Sequence, residues 1–281
     1  MERTRPWELS DEVWARALPR LSPHKPHPKG GRPAKDDRQM VGAILSVLRT
    51  GLQWNALPHE IGASTTVYDR FRAWQRDGFF ARLWAAGLQE EGELVGIDWE
   101  WQSLDGVMRH LPLICGAATG PNPTDRGKKG TKRSTLCEGH GLPLAVEVAG
   151  ANVPDMKLTA QTLDCVVVER PEPTPEQPQH LCLDAGFDYD LPRFAAEQRG
   201  YTVHIRPRDQ ERWEAEAARM AAESEPLKRA RRWVVERLHS WLNRSRRLLV
   251  RWEKYTHTYQ AFVQLACALC CFQQCDRLRA A

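Results

Sequence analysis

Three acidic side chains occur in contexts that suit metal binding. Asp105 in WQSLDG and Asp184 in HLCLDAGFDYD each end a short apolar run, and Glu236 lies in the arginine-rich segment RRWVVERLHSWLNR. Carboxylates from three separate elements can together hold two divalent cations, which polarise a phosphodiester and activate water. The pattern therefore predicts metal-dependent chemistry on nucleic acid.

Each of these positions has a competing structural explanation. Asp98 precedes Asp105 by seven residues, and the residues alone do not decide which of the two is the ligand, since either suits a turn or an exposed strand position. Asp184 stands at a strand end, where α/β sheets carry ligand-binding groups. For Asp188 and Asp190, the cap of the following helix is the favoured interpretation.

The functional interpretation of Glu236 depends on the residues that share its helix face. Arg232, His239, Ser240 and Asn243 lie four positions before it and three, four and seven after it, so all five share one helix face. A surface glutamate paired with Arg232 is the common alternative, and the spacing favours the functional interpretation only modestly.

Basic residues are concentrated near Glu236. The chain has a net charge of +4 and a pI near 8.6, but the segment from Lys228 to Lys254 contains ten Lys or Arg against two Glu. Such a stripe indicates a nucleic-acid partner, with a solvated helix face as the alternative. The predicted phosphate contacts of this segment are Arg232, Arg237, Arg244, Arg246 and Arg247.

A second basic segment is the loop GAATGPNPTDRGKKGTKR, residues 116–133. Exposed backbone N–H groups and cations among glycines suit phosphate contact, and a solvated surface loop is the alternative. Its predicted DNA-binding residues are Arg126, Lys128, Lys129, Lys132 and Arg133. The loop lacks the GxxxxGK[ST] order of a nucleotide-binding loop, so the sequence predicts no nucleotide cofactor and argues against an ATPase.

Residues 1–91 are predicted to form a small all-α domain. Ser10 suits a helix start, Arg38 to Thr50 a second helix, Ser64 or Thr65 the cap of a third, and Gly78 its end. Helix, turn and short helix are compatible with a helix-turn-helix that contacts DNA through Thr66 and Arg70, although small bundles without DNA share the pattern. The aromatic residues Trp54, Phe71 and Trp74 are expected in its core.

Residues 92–281 are predicted to form an α/β domain. Residues 94–106 resemble a strand, 133–149 a hairpin around GHG, 180–186 and 201–207 further strands, and 155–168 and 190–199 helices. Two long helices, 231–252 and 255–278, follow a charged insertion at 212–230. Antiparallel strands followed by alternating α and β elements fit a three-layer domain with a mixed sheet flanked by helices.

Cysteine spacing argues against zinc. Cys267, Cys270, Cys271 and Cys275 repeat at the spacing of one apolar helix face, so we expect them in the core. Unpaired thiols in this number indicate a reducing cytoplasm. The N-terminus lacks an apolar signal core and no window is long enough to span a bilayer, so the sequence predicts a cytoplasmic, nucleoid-associated protein with no membrane partner.

Three motifs together resemble a known family. The runs LDG…TGPNPTDRGKKGTKRSTLCEGHGLPLAVEVAGANVPDMKL, LCLDAGFDYD and RRWVVERLHSWLNRSRRLLVRWEK are similar to bacterial insertion-sequence transposases of the DDE class, in the group numbered five. The N-terminal GGRPAKDDRQMVGAILSVLRTGLQWNALP resembles the helical DNA-binding region of the same group. The resemblance covers nearly the whole chain.

The resemblance implies a ribonuclease H-like catalytic domain that binds two Mg²⁺ (or Mn²⁺) ions through Asp105, Asp184 and Glu236. It favours Asp105 over Asp98, and it implies basic residues at Arg232 and near Arg244. The implied activity is cleavage at the terminal inverted repeats of an insertion sequence and transfer of the 3′-OH ends to target DNA, by a homodimer on double-stranded DNA. The alternative is a decayed transposase that only binds DNA.

Overall fold

The chain forms a mixed six-stranded β-sheet between helices, with an N-terminal group of helices packed beside it. The computed structural model describes residues 8–23, 34–112, 116–205, 207–209, 214, 218 and 233–280. The helices are α1 Asp11–Ala17, α2 Asp37–Thr50, α3 Ser64–Arg76, α4 Phe79–Leu94, α5 Thr159–Asp164, α6 Asp190–Glu197, α7 Trp233–Asn243 and α8 Thr256–Ala280. The strands are β1 Trp101–His110, β2 Gly120–Pro121, β3 Lys129–Cys137, β4 Pro143–Gly150, β5 Gln179–Leu183 and β6 Tyr201–Ile205.

The N-terminal helices begin and end largely where local chemistry predicts. The Ser10 side chain accepts a hydrogen bond from the backbone N–H of Val13 and caps α1. Gly78 adopts a φ of 76° between α3 and α4, a conformation that costs glycine little. The predicted cap of α3 is wrong, because the cap residue is Ala63 and Ser64 lies inside the helix, where its hydroxyl bonds Asn55 instead.

The hydrophobic core continues past residue 91. Phe71 of α3 is fully buried and stacks on Phe262 of α8 with ring centroids 4.6 Å apart, so an N-terminal helix packs directly on the C-terminal helix. Phe71 and Trp74 are buried and Trp54 packs against the core, as predicted. The division at residue 91 stays a prediction, since one apolar cluster includes residues from both sides of it.

The sheet has β1 at its centre. β1 pairs antiparallel with β3 and parallel with β5, and β5 pairs parallel with β6. β3 also pairs antiparallel with β2 and with β4. The β3–β4 pairing confirms the predicted hairpin. The expected strand over residues 94–106 starts later than predicted, at Trp101.

Helices cover both faces of this sheet. The Thr162 hydroxyl of α5 bonds Ser134, which stands opposite Gly106 in the register and marks one face. On the other face, α7 packs over β1 and β3. This arrangement confirms the predicted three-layer α/β architecture with a mixed sheet flanked by helices.

The long helix predicted for residues 231–252 is wrong in its second half. Residues 231 and 232 lie outside the described part, and α7 ends at Asn243. Ser245 is extended (φ −84°, ψ 95°), a short 3₁₀ turn spans Arg246–Leu248, and Val250 pairs with His110 at the end of β1. In this non-helical segment the Arg247 side chain turns inward, pairs with buried Glu253 and donates to the Leu52 carbonyl.

The cysteines of α8 lie in the core. Cys267, Cys271 and Cys275 are buried and Cys270 is half-buried, and the described cysteines are free thiols, as their helical spacing predicts. Among the described residues, no helix is both long and apolar enough to cross a membrane.

Candidate active site

Asp105 on β1 and Asp184 just after β5 each lie two residues past the last paired position of these neighbouring parallel strands. The β1–β5 register pairs Ser103 with Cys182, so two residues further along Asp105 comes level with Asp184. Asp184 follows the last residue of β5 but keeps an extended backbone (φ −82°, ψ 170°), so the alternation of side chains continues to it. Level residues on paired strands about 4.8 Å apart point to the same face of the sheet.

Helix α7 lies over that face. His239 Nε2 is 3.9 Å from Asp105 Oδ2, and Arg109, four residues after Asp105 on the same strand, donates to the side-chain oxygen of Asn243. His239 and Asn243 share a helix flank with Glu236, which is solvent-exposed one turn before His239. Glu236 is therefore on the flank of α7 that contacts β1, the element that carries Asp105.

Two arginines, the half-buried Arg109 and the buried Arg133, lie close to His239. Burial, reinforced by the charges of Arg133 and Arg109, lowers the pKa of His239 to about 3, so its imidazole is neutral at pH 7. Burial and the nearby Arg133 lower the pKa of Arg109 to about 10. The face under α7 therefore carries two arginine cations close to His239, which itself lies beside Asp105.

The three predicted ligands share a region without forming a compact cluster. Within the described ranges, the only group of three or more His, Cys, Asp and Glu donors that all lie within 4.8 Å of one another is Glu91, Glu138 and His140. Local hydrogen bonds orient two of the predicted ligands, since Asp105 Oδ1 and Asp184 Oδ1 each accept a backbone N–H at 2.7 Å, from Gly106 and Gly186.

Asp98 lies away from this face. It precedes β1, its Oδ1 accepts the backbone N–H of Trp101, and its own N–H donates to Glu138. Asp98 therefore lies before the start of β1, whereas Asp105 lies in the middle of that strand.

The donor set suits a hard divalent cation. Carboxylate oxygens are the ligands that Mg²⁺ and Mn²⁺ prefer, and Asp105 and Asp184 offer them level with each other. His239 is 8% exposed, and neither of its ring nitrogens has a hydrogen-bond partner among the described residues. The two carboxylates therefore fit the metal that the sequence predicts, and the neutral imidazole of His239 lies beside Asp105.

Three predicted DNA contacts are instead buried. Lys132 and Arg133 point to opposite faces of β3, and both faces are covered, so they are 4% and 0% exposed. Lys132 Nζ bonds Asp155 Oδ2 at 2.8 Å, and Arg247, 4% exposed, bonds Glu253 Oε1 at 2.7 Å. The expectation that these side chains contact phosphate is corrected, because their cations lie inside the protein.

The other predicted DNA contacts differ in how far their side chains are exposed to solvent. Arg70 pairs with Asp37, and Arg237 donates to the His140 carbonyl and stacks on Trp233 and Trp241. Arg232 lies outside the described residues. The exposed members are Thr66, Arg126, Lys128, Lys129, Arg244 and Arg246.

The basic loop is more ordered than its composition predicts. Residues 120–130 form a tight hairpin between β2 and β3, with Arg126 at its tip in a left-handed conformation (φ 50°). Fully buried Arg251 donates to the carbonyls of Ala117 and Ala118 and so ties this hairpin to the chain after α7. The two basic segments are thus connected through one interior arginine.

Sequence reasoning missed two participants on the α7 face. Arg109 is four residues after Asp105 on β1, so both side chains point to the same face of the sheet, and this spacing could have indicated that Arg109 lies near Asp105. Arg133 is predicted from the sequence to contact DNA phosphate, and no local signal marks it as buried, because its burial depends on α7 covering β3.

Comparisons with known proteins agree with this organisation. A family model described as "Transposase DDE domain" matches residues 109–271, which include Asp184 and Glu236 and begin four residues after Asp105. A second, described as "Putative transposase of IS4/5 family", matches residues 9–84.

Two curated Burkholderia cepacia proteins are similar to parts of the chain. A "Putative transposase for insertion sequence element IS402" is 34% identical over 162 residues, which cover 57% of this chain and 71% of that protein. An "Insertion element IS402 uncharacterized 16.2 kDa protein" is 39% identical over 79 residues, 27% of this chain and 54% of that protein.

Among solved structures, a Mos1 transposase paired-end complex with left transposon end aligns over 89% of this chain and 82% of that chain. The sequence identity is 12% and the TM-score 0.28, too low to support an argument.

Proposed function

The chain belongs to the DDE transposases of the IS4/5 type, and from that premise we propose that it cuts and joins DNA at the ends of an insertion sequence. It binds the terminal inverted repeats, hydrolyses phosphodiester bonds at the element ends and transfers the 3′-OH ends to target DNA. Asp105, Asp184 and Glu236 are the proposed metal-binding and catalytic residues.

One observation carries this assignment. The parallel register of β1 and β5 brings Asp105 level with Asp184, although 79 positions separate them in the sequence. The flank of α7 that contains Glu236 also contains His239, which lies beside Asp105. Carboxylates from three elements that meet over one face of a sheet are what a metal-dependent phosphoryl transferase requires.

The side chains of this face have distinct proposed roles. Two bound Mg²⁺ or Mn²⁺ ions would lower the pKa of an attacking water and stabilise the leaving oxygen. Asp105 and Asp184 hold the ions, and Glu236 completes the ligand set. Arg109 positions α7 through Asn243 and so sets the distance between Glu236 and the two aspartates.

The exposed cations are the proposed contacts to the DNA backbone. Arg126, Lys128 and Lys129 on the β2–β3 hairpin and Arg244 and Arg246 after α7 are available for phosphate contacts. Thr66 of α3 is exposed on the helix proposed to enter the major groove.

Cleavage of a labelled duplex that carries the element's end tests the proposal. We expect nicking at the repeat boundary with Mg²⁺ and none with EDTA, and loss of nicking in Glu236→Gln. Asp190→Asn is the matched control, because Asp190 is an exposed first-turn residue of α6. Equal cleavage by wild type and Glu236→Gln would remove Glu236 from the ligand set.

The same assay separates two other functions. Salt-dependent binding of the repeat without metal-dependent cleavage indicates a decayed transposase that acts only as a DNA-binding protein. Cleavage without joining to a target plasmid indicates a nuclease. Light scattering of the DNA complex tests the proposed homodimer, since cutting two ends requires two active sites.

A further inference from the structure

A second group of potential metal ligands lies near the start of β1, away from Asp105. Glu91 comes from α4, Glu138 follows β3, and His140 lies in the β3–β4 turn, yet one donor atom of each lies within 4.8 Å of the others. His140 Nδ1 is 3.4 Å from Glu91 Oε1 and 3.2 Å from Glu138 Oε2.

Glu91 is buried without the hydrogen bonds that a buried carboxylate needs. Its side chain is 0% exposed, and neither carboxylate oxygen has a hydrogen-bond partner in the described part of the chain, beyond the long ion-pair contact with His140. Burial and the nearby Glu138 raise the pKa of Glu91 to about 7. An apolar core does not by itself explain this carboxylate, which points at two other potential ligands.

Glu138 is held in position by the turn that follows it. Its Oε1 accepts the backbone N–H of Leu142 at 2.7 Å, and its Oε2 accepts those of His140 at 2.9 Å and Asp98 at 3.3 Å. Hydrogen bonds from backbone N–H groups favour the charged form of a carboxylate. Arg237 donates to the His140 carbonyl, so the turn carrying the imidazole is also held from α7.

The distances match tetrahedral coordination. Around an ion with ligand bonds of about 2.0–2.2 Å, neighbouring tetrahedral donors are about 3.3–3.6 Å apart, close to the two separations measured from His140. From this geometry we propose that Glu91, Glu138 and His140 form a divalent transition-metal site, for which Zn²⁺ is the best fit.

The mixed donor set selects the class of ion. An imidazole nitrogen with two carboxylate oxygens suits Zn²⁺ better than Mg²⁺, which prefers an all-oxygen octahedron. The His140 side chain is 47% exposed while both glutamates are buried, so the ion enters past the imidazole. The site is separate from the proposed catalytic ions, because Glu138, the first residue after β3, lies three residues, about 10 Å, further along the chain than Thr135, the partner of Asp105.

The site joins two parts of the fold. Glu91 lies in the last turns of α4, an N-terminal helix, and its two partners lie at the β3–β4 turn of the sheet. A bound ion would therefore clip the helical region to the sheet and neutralise the buried carboxylates, so metal binding contributes directly to folding stability.

Metal content after dialysis tests the proposal on the full-length protein. We expect wild type loaded with Zn²⁺ to keep one ion per chain, and Asp105→Asn/Asp184→Asn to keep it equally. His140→Asn should bind Zn²⁺ at least about 100-fold more weakly, since second-shell partners alone are worth 10- to 100-fold. With Co²⁺ as a probe, wild type should show the intense visible bands of tetrahedral cobalt and His140→Asn should not.

Two further variants guard against misfolding and non-specific binding. Glu91→Gln preserves side-chain volume and should also lose the ion, while His257→Asn removes an exposed histidine elsewhere and should keep it. Circular dichroism must show that each variant is folded. Complete loss of Zn²⁺ from wild type on dialysis, or equal retention by wild type and His140→Asn, overturns the proposal. Neither result affects the DNA-cleavage test, which depends on Glu236.

Discussion

Two positions along β1, its middle and its start, lie beside groups of acidic residues with opposite character. At its middle, Asp105 and Asp184 are partly exposed and Glu236 is exposed, near the half-buried Arg109 and the buried Arg133. At the other, Glu91 and Glu138 are fully buried within reach of a single imidazole. The first group is open to exchange of ions and substrate, whereas the second is enclosed.

The difference shows how environment assigns roles to the same side chains. Carboxylates at a site that must release a product need solvent access and a wider spacing. Nearby cations offset the electrostatic repulsion between them. Carboxylates that are close together and buried carry a desolvation cost that a proton, hydrogen bonds or a nearby cation must offset. We therefore expect the open group to control catalysis and the enclosed group to control stability.

The largest effect should come from the open group. Asp184→Asn should lower cleavage of end-bearing DNA by roughly 10⁴-fold, as expected when a group essential to the chemistry is removed. Affinity for the DNA, measured by fluorescence anisotropy, should change less than about twofold. Normal cleavage by Asp184→Asn would show that the level pair on β1 and β5 is not the metal site.

Substitutions at two adjacent arginines should distinguish a buried cation from an exposed one. Arg247→Ala should reduce the free energy of unfolding by about 3–5 kcal/mol, because Glu253 would remain buried and unpaired. Arg246→Ala, at the exposed neighbouring position, should leave urea denaturation unchanged. Equal stability of the two variants would contradict the burial of the Arg247–Glu253 pair.

A substitution at the contact between α4 and α8 should affect the enclosed group and leave the open group unchanged. A methyl group at Gly87 of α4 would lie 2.8 Å from the Cys271 side chain of α8, so Gly87→Ala should cost about 1–3 kcal/mol of stability. Because Gly87 is one turn before Glu91, the same variant should weaken Zn²⁺ binding but preserve the cleavage rate constant.

The control for this helix contact is Gly42→Ala in α2. Its added methyl group meets nothing closer than 3.7 Å, so the variant should be neutral or stabilised by up to about 1 kcal/mol. Thermal unfolding of both variants provides the measurement, and equal destabilisation would argue against close packing of α4 on α8.

The smallest effect should come from a single exposed cation. Lys129→Ala should reduce the slope of log affinity against log salt by about 0.9, the value for one lost phosphate contact. Lys132→Met, three residues away and bonded to Asp155, should leave that slope unchanged. A titration of DNA affinity against salt distinguishes the two, and an equal slope change would place Lys132 on the DNA path.

Local sequence signals predicted much of the fold. The cap at Ser10, the end of α3 before Gly78 and the β3–β4 hairpin depend on a few consecutive residues, so their chemistry is visible in the sequence. The helix expected to continue to Trp252 ends at Asn243, and in the segment that follows Arg247 donates to the carbonyl of distant Leu52, a tertiary contact that local helix propensity does not include.

The sequence by itself determined the family, the mixed α/β architecture and the identity of the proposed ligands, because motifs and side-chain periodicity are local properties. Only the tertiary structure decided which charges are buried. Lys132 and Arg133 left the expected DNA surface because helices cover both faces of β3. Likewise Glu91, Glu138 and His140 meet only because α4 packs against the β3–β4 turn, a contact between segments more than 45 residues apart that no local pattern encodes.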